Sequence, residues 1–204
     1  MSGRTLPALT ILLVAGTPLC LLPGVFLSHD VMPRAVATLA GAACLLFLLP
    51  EWAGGVAALW NRPTGRVFLS LVAAQGVSLS VSTVFSTQPA LSFAGAVWRR
   101  FGMAEQASGL VIAVAVAALA VTRERWATSL LRSICVCGGA ASIYGILQYF
   151  GIDPFLDPKL YRIEFLGGIV RPPGTMGHAI YFAAYLTPVA LLASSMAFDE
   201  ISPR

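Results

Sequence analysis

The stretch Arg171-Pro-Pro-Gly-Thr-Met-Gly-His178 ends directly before a long apolar run, Ala179–Phe198. Its two prolines fix backbone dihedrals and cannot donate hydrogen bonds, while its two glycines reach conformations closed to other residues. The stretch therefore predicts a shaped loop that leads into a membrane-spanning helix. It begins with an arginine and ends with one of only two histidines in the chain. Arg171 is either a simple loop cation or a ligand for an anion, and His178 is either a helix-start residue or part of a site.

The composition of the 204-residue chain is that of an integral membrane protein. Hydrophobic residues make up 57% of it and charged residues 11%, whereas soluble domains carry roughly 25% charged residues. The mean hydropathy is +0.81. The apolar runs are long and lack the alternation of an outer-membrane barrel, so the spans should be helices. We predict an all-α fold, a polytopic transmembrane helix bundle that forms a single membrane domain over residues 1–204.

The apolar runs predict about six spans. They are Ala8–Ser28, Ala35–Leu49, Val67–Phe85, Ala107–Val121, Trp126–Phe150 and His178–Phe198. Pro50 and Glu51 interrupt the second run, and Ala53–Trp60 is interpreted as its continuation at the interface. Within Ser86–Gln106, apolar residues at helical spacing predict a short amphipathic helix on the membrane surface. Gly151–Gly177 is predicted to form one outer loop.

The basic residues are divided almost evenly between the two predicted sides. With a cytoplasmic N-terminus, seven lie inside: Arg4, Arg62, Arg66, Arg123, Arg125, Arg132 and Arg204. Six lie outside: Arg34, Arg99, Arg100, Lys159, Arg162 and Arg171. Because a clear inside excess is the rule, either the orientation is reversed or the outer cations bind an anion such as a lipid headgroup or a pyrophosphate. Alternatively, they pair with outer carboxylates; these are Glu105, Asp153, Asp157 and Glu164.

Other motifs that would indicate a cofactor or a nucleic-acid partner are missing from the sequence. The four cysteines, Cys20, Cys44, Cys135 and Cys137, lie in apolar runs, where packing is their expected role. The sequence has no Gly-rich nucleotide loop, no zinc-ligand spacing and no serine-hydrolase elbow. The arginines are dispersed rather than clustered in a basic tail. We therefore expect no metal, no cofactor and no nucleic acid.

Three ordered stretches together resemble the O-antigen ligase and polymerase superfamily of bacterial inner-membrane glycosyltransferases. The first is Ser82-Thr-Val-Phe-Ser-Thr-Gln-Pro89, continuing to Gly95 and Trp98-Arg-Arg-Phe-Gly102. The second is Tyr144-Gly-Ile-Leu-Gln-Tyr-Phe-Gly-Ile-Asp-Pro154, and the third is Arg171–His178 running into Tyr181-Phe-Ala-Ala-Tyr185. The resemblance extends over residues 65–190.

The resemblance implies transfer of a glycan from undecaprenyl pyrophosphate to a lipid or protein acceptor at the periplasmic face, without a nucleotide sugar or a metal. It assigns Arg171 as the catalytic residue that contacts the pyrophosphate, with Arg99 and Arg100 as substrate-binding residues. His178 is a further substrate-binding candidate. The chemistry agrees, because a fixed guanidinium stabilises the negative charge that develops on the departing pyrophosphate. A lysine would serve less well, since it lacks the planar fork of donors.

The family's acceptor-activating histidine lies in a large periplasmic loop later in the chain, so that role is not assigned to His178. The sequence is accordingly expected to be the N-terminal half of a ligase in the bacterial inner membrane. One alternative is a non-catalytic membrane module that binds lipid or assembles with other subunits. A small-solute carrier is a further alternative, although the sequence has no visible internal repeat and no charged residue at the centre of a span, apart from Arg132 a turn or two inside the fifth.

Overall fold

The computed structural model describes residues 5–22, 30–96, 101–163 and 168–201. Its α-helices are α1 (Thr5–Ile11), α2 (Val31–Phe47), α3 (Leu49–Trp60), α4 (Pro63–Val84), α5 (Pro89–Ala94), α6 (Met103–Thr122), α7 (Glu124–Tyr149) and α8 (Ala179–Ile201). Helix α1 continues as a π turn and a 3-10 turn to Leu19. Two short antiparallel strands, β1 (Arg162–Ile163) and β2 (Ile169–Val170), lie between α7 and α8. The predicted all-α fold class is confirmed.

Four helices are long and apolar enough to cross a membrane: α4, α6, α7 and the part of α8 from Ala179 to Phe198. They correspond to the third to sixth predicted spans. Helices α2 and α3 meet the same criterion as a pair, but they are bent by 84° relative to each other. The first predicted span is described as a shorter apolar helix, Thr5–Leu19, and its residues 23–28 lie outside the described part. The chain is a multi-pass membrane protein.

The bend between α2 and α3 lies where Pro50 was predicted to interrupt the second span. Proline has no N–H to continue the hydrogen-bond ladder, so α2 ends at Phe47 and α3 begins anew at Leu49. The indole Nε1 of Trp52 donates to the carbonyl oxygen of Leu45 at 2.9 Å. This bond satisfies a carbonyl in the last turn of α2, where helices leave such groups unpaired.

The predicted surface helix is shorter than the stretch that suggested it. Helix α5 covers only Pro89–Ala94, and residues 103–106 already belong to α6. Gly95 follows α5 with a φ of 78°, a left-handed value that ends a helix. Val97 and Trp98, which contributed to the predicted apolar face, lie outside the described residues.

Helix α6 lies at the centre of the apolar core. Its Leu119 is buried together with Leu45 of α2 and Leu6 of α1. Helix α3 approaches α6 closely at Gly55, where a Cβ atom would lie 2.5 Å from the carbonyl oxygen of Ala118. These contacts hold the broken pair α2–α3 against α6.

The connections of the bundle lie at two ends. At one end, which we call the motif end, the start of α2 meets residues 174–176, and the start of α6 lies beside the same turn. At the opposite end, the indole of Trp126 at the start of α7 donates to the carbonyl oxygen of Pro7 at 3.0 Å. The described cations in the loops and at the helix ends follow the same division. Arg34, Lys159, Arg162 and Arg171 belong to the motif end, and Arg62, Arg66, Arg123 and Arg125 to the other.

Candidate functional site

Gln148, near the end of α7, joins two of the stretches on which the family resemblance depends. Its side chain is fully buried. Nε2 donates to Oδ2 of Asp153 at 2.8 Å, and Oε1 accepts the backbone N–H of Gly174, also at 2.8 Å. A buried amide that is paired at both ends holds its partners in one arrangement. The turn Arg171–His178 is therefore fixed to α7 and is not a free loop.

Asp153 organises the chain that leaves α7. Its Oδ1 accepts the hydroxyl of Tyr144 at 3.0 Å and the backbone N–H groups of Phe155 and Leu156 at 2.9 and 3.0 Å. Partial burial raises the pKa of this carboxyl, but the hydrogen bonds, led by that from Phe155 N–H, outweigh burial and hold the pKa below its ordinary value. The described hydrogen-bond partners of Asp153 are thus neutral donors, not the arginines that one alternative paired with it.

The turn itself requires glycine at two positions. Gly174 and Gly177 have φ values of 57° and 69°, which favour glycine. A side chain at Gly174 would collide with the ring of Phe182, and one at Gly177 would collide with the carboxylate of Asp30. The predicted shaped loop is therefore confirmed, and it packs closely against both α8 and the start of α2.

Arg34 of α2 is the cation that holds this turn, and the sequence reasoning counted it only as an outer charge. Its Nη2 donates to Oδ2 of Asp30 at 2.7 Å and to the carbonyl oxygen of Thr175 at 3.1 Å. Nε donates to the carbonyl oxygen of Asp30 at 2.8 Å, and Nη1 contacts Sδ of Met176 at 3.1 Å. The i,i+4 spacing of Asp30 and Arg34 was a readable signal for their ion pair. The contact to a turn 141 residues later had no local signal.

Arg171, the predicted catalytic residue, lies where the small sheet meets the turn. Its backbone N–H donates to the carbonyl oxygen of Tyr161 at 3.0 Å. Its side chain is exposed, and among the described residues its guanidinium has no hydrogen bond or ion pair. The next residue, Pro172, lines a groove of about 510 Å³ between α7 and α8. The groove walls are mainly apolar and include Gly145, Ile146 and Phe182.

His178 acts as a helix N-cap. Its Nδ1 accepts the backbone N–H of Ile180 at 3.2 Å, and its ring lies 5.4 Å from the ring of Tyr181, centroid to centroid. An N-cap acceptor satisfies one of the unpaired N–H groups at the start of a helix. This contact corresponds to the helix-start interpretation of His178, and its predicted substrate-binding role stays a prediction.

A second cavity also borders the turn, and the sequence did not reveal it. We call it the Glu105 cavity; its volume is about 650 Å³. Its lining residues come from the start of α2, the α5–α6 region, the turn and α8: Asp30, Val31, Arg34, Ala96, Phe101, Glu105, Met176 and Tyr181. Glu105 is half-buried, and its Oε2 is buried without a hydrogen bond to any described residue. A buried acceptor of this kind indicates a place for a hydrogen-bond donor.

Arg99 and Arg100, the other predicted substrate-binding residues, lie outside the described residues. The residues on either side of that segment, Ala96 and Phe101, both line the Glu105 cavity. Arg171 is not among the described residues that line it. The structure therefore brings together Arg34, Glu105 and the turn, while Arg171 adjoins the apolar groove.

Neither a metal cluster nor a known relative assigns a function to this site. No group of three or more His, Cys, Asp or Glu side chains that could hold a metal ion occurs in the described ranges. Searches against protein-family models, curated proteins and solved structures found no match to the chain. The chemistry of the site therefore has to be argued from its own residues.

Proposed function

We propose that the chain is an O-antigen ligase-like glycosyltransferase, which moves a glycan from undecaprenyl pyrophosphate to an acceptor hydroxyl at the periplasmic face of the bacterial inner membrane. In this reaction the bond between the anomeric carbon and the pyrophosphate oxygen breaks, and its electron pair stays on that oxygen. A new bond forms between the anomeric carbon and the acceptor oxygen, and the proton of the acceptor hydroxyl passes to solvent. The group that most needs stabilisation is the departing pyrophosphate.

One observation supports the proposal above the others: an exposed guanidinium, with no hydrogen bond or ion pair to any described residue, directly precedes the proline that lines an apolar groove. Arg171 provides a permanent charge and a fork of donors suited to phosphate oxygens. The groove beside Pro172 provides an apolar surface between α7 and α8. A cation next to an apolar groove matches the two parts of a phosphate-bearing lipid.

The position of Arg171 is defined, which matters because a catalytic cation must be aimed before the charge develops. Its backbone is fixed on one side by the hydrogen bond to Tyr161. On the other side, the turn is fixed by Gln148 and by Arg34. The side chain thus extends from a backbone with little freedom, and it needs no large rearrangement to meet a phosphate.

The proposal is tested by measuring the rate of glycan transfer by the intact protein in its native membrane, and by comparing that rate between the wild type and variants of Arg171. We expect Arg171→Ala to lower the transfer rate by about 10²–10³-fold, as loss of one donor to a developing oxyanion does. Arg171→Lys should recover only part of the rate, because the charge returns without the fork. Arg62→Ala, an exposed arginine at the opposite end, serves as the matched control and should leave transfer unchanged. Equal transfer by all three variants would contradict the enzyme proposal.

A non-catalytic lipid-binding module is the second candidate, and the composition of the groove favours it. Tyr149 is the only titratable residue among the described groove-lining residues, so the groove contains no strong acid or base beside Arg171. On this proposal, Arg171→Ala weakens binding of a polyprenyl pyrophosphate to the purified chain in lipid nanodiscs, while glycan transfer does not depend on the chain. If Arg171→Ala weakens binding of the polyprenyl pyrophosphate but leaves glycan transfer unchanged, the chain is a binding module and not the enzyme.

A further inference from the structure

One side chain on the wall of the Glu105 cavity, Glu105 itself, has a buried polar atom that the described residues leave unsatisfied. Arg34, on its wall, has every nitrogen engaged by Asp30, Thr175 or Met176. Glu105 differs, because its buried Oε2 has no hydrogen bond within the described ranges. An ionised carboxylate only accepts hydrogen bonds. A ligand that contacts this oxygen must therefore donate one.

The charges on the described wall of the cavity disfavour a phosphate. Asp30 neutralises Arg34 across 2.7 Å, so Glu105 sets the sign of the remaining charge on the described wall. A carboxylate repels a phosphate placed beside it, and the repulsion is greater in a partly buried site than in water. The anionic part of a donor lipid is therefore expected beside Arg171 and not in this cavity.

The remaining walls suit a ring with both apolar and hydroxylated faces. Phe101 is 67% exposed and Tyr181 is 53% exposed, so both rings offer uncovered surface to a ligand. Small-molecule sites typically combine such apolar walls with a few polar groups that fix orientation. A saccharide meets both demands, since its C–H faces pack on aromatic rings while its hydroxyls donate to a carboxylate.

We propose that the Glu105 cavity binds the acceptor saccharide, with the Glu105 carboxylate accepting a hydrogen bond from one of its hydroxyls; this role rests on the proposed function. The turn borders both sites, because Pro172 lines the groove and Met176 lines the cavity. The hydrogen bond to Glu105 orients the saccharide, while its C–H faces pack against Phe101 and Tyr181.

The binding step is tested by saturation-transfer NMR on the intact chain in lipid nanodiscs. The probes are N-acetylglucosamine, galactose and glucose, with choline as a cationic comparison. We expect saturation transfer to at least one of the sugars. In Glu105→Gln the affinity for that sugar should be about tenfold weaker, the change expected for losing a hydrogen bond to a charged group. Phe101→Ala should weaken binding as well. Glu51→Gln, an exposed carboxylate in α3, is the matched control and should bind sugar as the wild type does.

A second variant and a second ligand keep the test decisive. Glu105→Asp retains the carboxylate and should recover part of the affinity, whereas a variant that had merely lost its fold would recover none. Any one of three results would overturn the inference: no saturation transfer to any sugar, saturation transfer to choline alone, or unchanged sugar binding in Glu105→Gln. Arg171→Ala should weaken binding of polyprenyl pyrophosphate and leave sugar binding intact. If lipid binding is absent while sugar binding depends on Glu105, the proposed function fails and the saccharide site stands.

Discussion

At the scale of single residues, the site depends on a few side chains that connect distant parts of the chain. Gln148 links Asp153 to Gly174, and Arg34 links Asp30 to the same turn. Both side chains work through paired donors and acceptors, so removing either one leaves its partners unsatisfied in a partly or fully buried place. The residues that position the turn are thus different from the exposed residues expected to contact a ligand.

Replacing Gln148 should destabilise the motif end. Gln148→Leu leaves the buried N–H of Gly174 without its acceptor, and we expect a loss of about 1–3 kcal/mol in the free energy of unfolding. Gln75→Leu is the control, because this amide is exposed on α4, and its effect should stay within about 0.5 kcal/mol. Thermal unfolding in detergent micelles measures both. Equal melting temperatures for the two variants would refute the role given to Gln148.

Asp153 should make the stability of the motif end sensitive to acid. Its pKa is lower in the folded chain than the ordinary value of about 3.9. The ionised carboxylate therefore contributes stability above that value, and the contribution is lost as pH falls from there through the lower folded pKa. Thermal melts between neutral and strongly acidic pH should show a smaller acid-induced loss for Asp153→Asn than for the wild type. An identical pH dependence of the two proteins would contradict this.

At the scale of elements, the bent pair α2–α3 was predictable in part. Pro50 marked the interruption because the missing N–H of proline is a local property. The angle of 84° was not predictable, since it depends on where α6 lies against both halves. The residues around the bend are mainly apolar. Leu45 and Trp52 are buried, and the one acid in the sequence next to the bend, Glu51, is exposed. Carriers line their broken helices with polar groups that bind solute, so this bend gives the carrier hypothesis no support.

Two neighbouring glycines in α3 provide a direct test of that packing. Gly55→Ala would place a methyl group 2.5 Å from the carbonyl oxygen of Ala118, and we expect a destabilisation of about 1–3 kcal/mol from overpacking. Gly54 has no atom within 4 Å of an added Cβ. Gly54→Ala should therefore be neutral or slightly stabilising, because alanine favours a helix by up to about 1 kcal/mol. Melting temperatures that move in the same direction for both variants would show that α3 does not pack on α6 in this way.

At the scale of the whole molecule, local sequence predicted the helices but not the site. Long apolar runs define α4, α6, α7 and α8, because hydropathy and length are properties of one segment. The two contacts that define the turn join residues 26 and 141 positions apart, and no local pattern encodes such pairs. Glu105 was weighed only as a counter-ion for the outer arginines. Its unsatisfied oxygen became evident only when α2, α6, the turn and α8 were seen around one cavity.

The proposed reaction requires the two ends of the bundle to face opposite sides of the membrane, with the motif end in the periplasm. Lys159 belongs to the motif end and Asn61 to the opposite end, and both are exposed. In a background where the four native cysteines are replaced by alanine, we expect Lys159→Cys to react with a membrane-impermeant maleimide in intact spheroplasts. Asn61→Cys should react only after the membrane is permeabilised, because the polar maleimide reagent does not cross the apolar core of the membrane unaided. Labelling of both before permeabilisation would refute the two-sided arrangement. Labelling of Asn61→Cys alone would reverse the orientation and direct Arg171 to the cytoplasm, where a periplasmic transfer cannot take place.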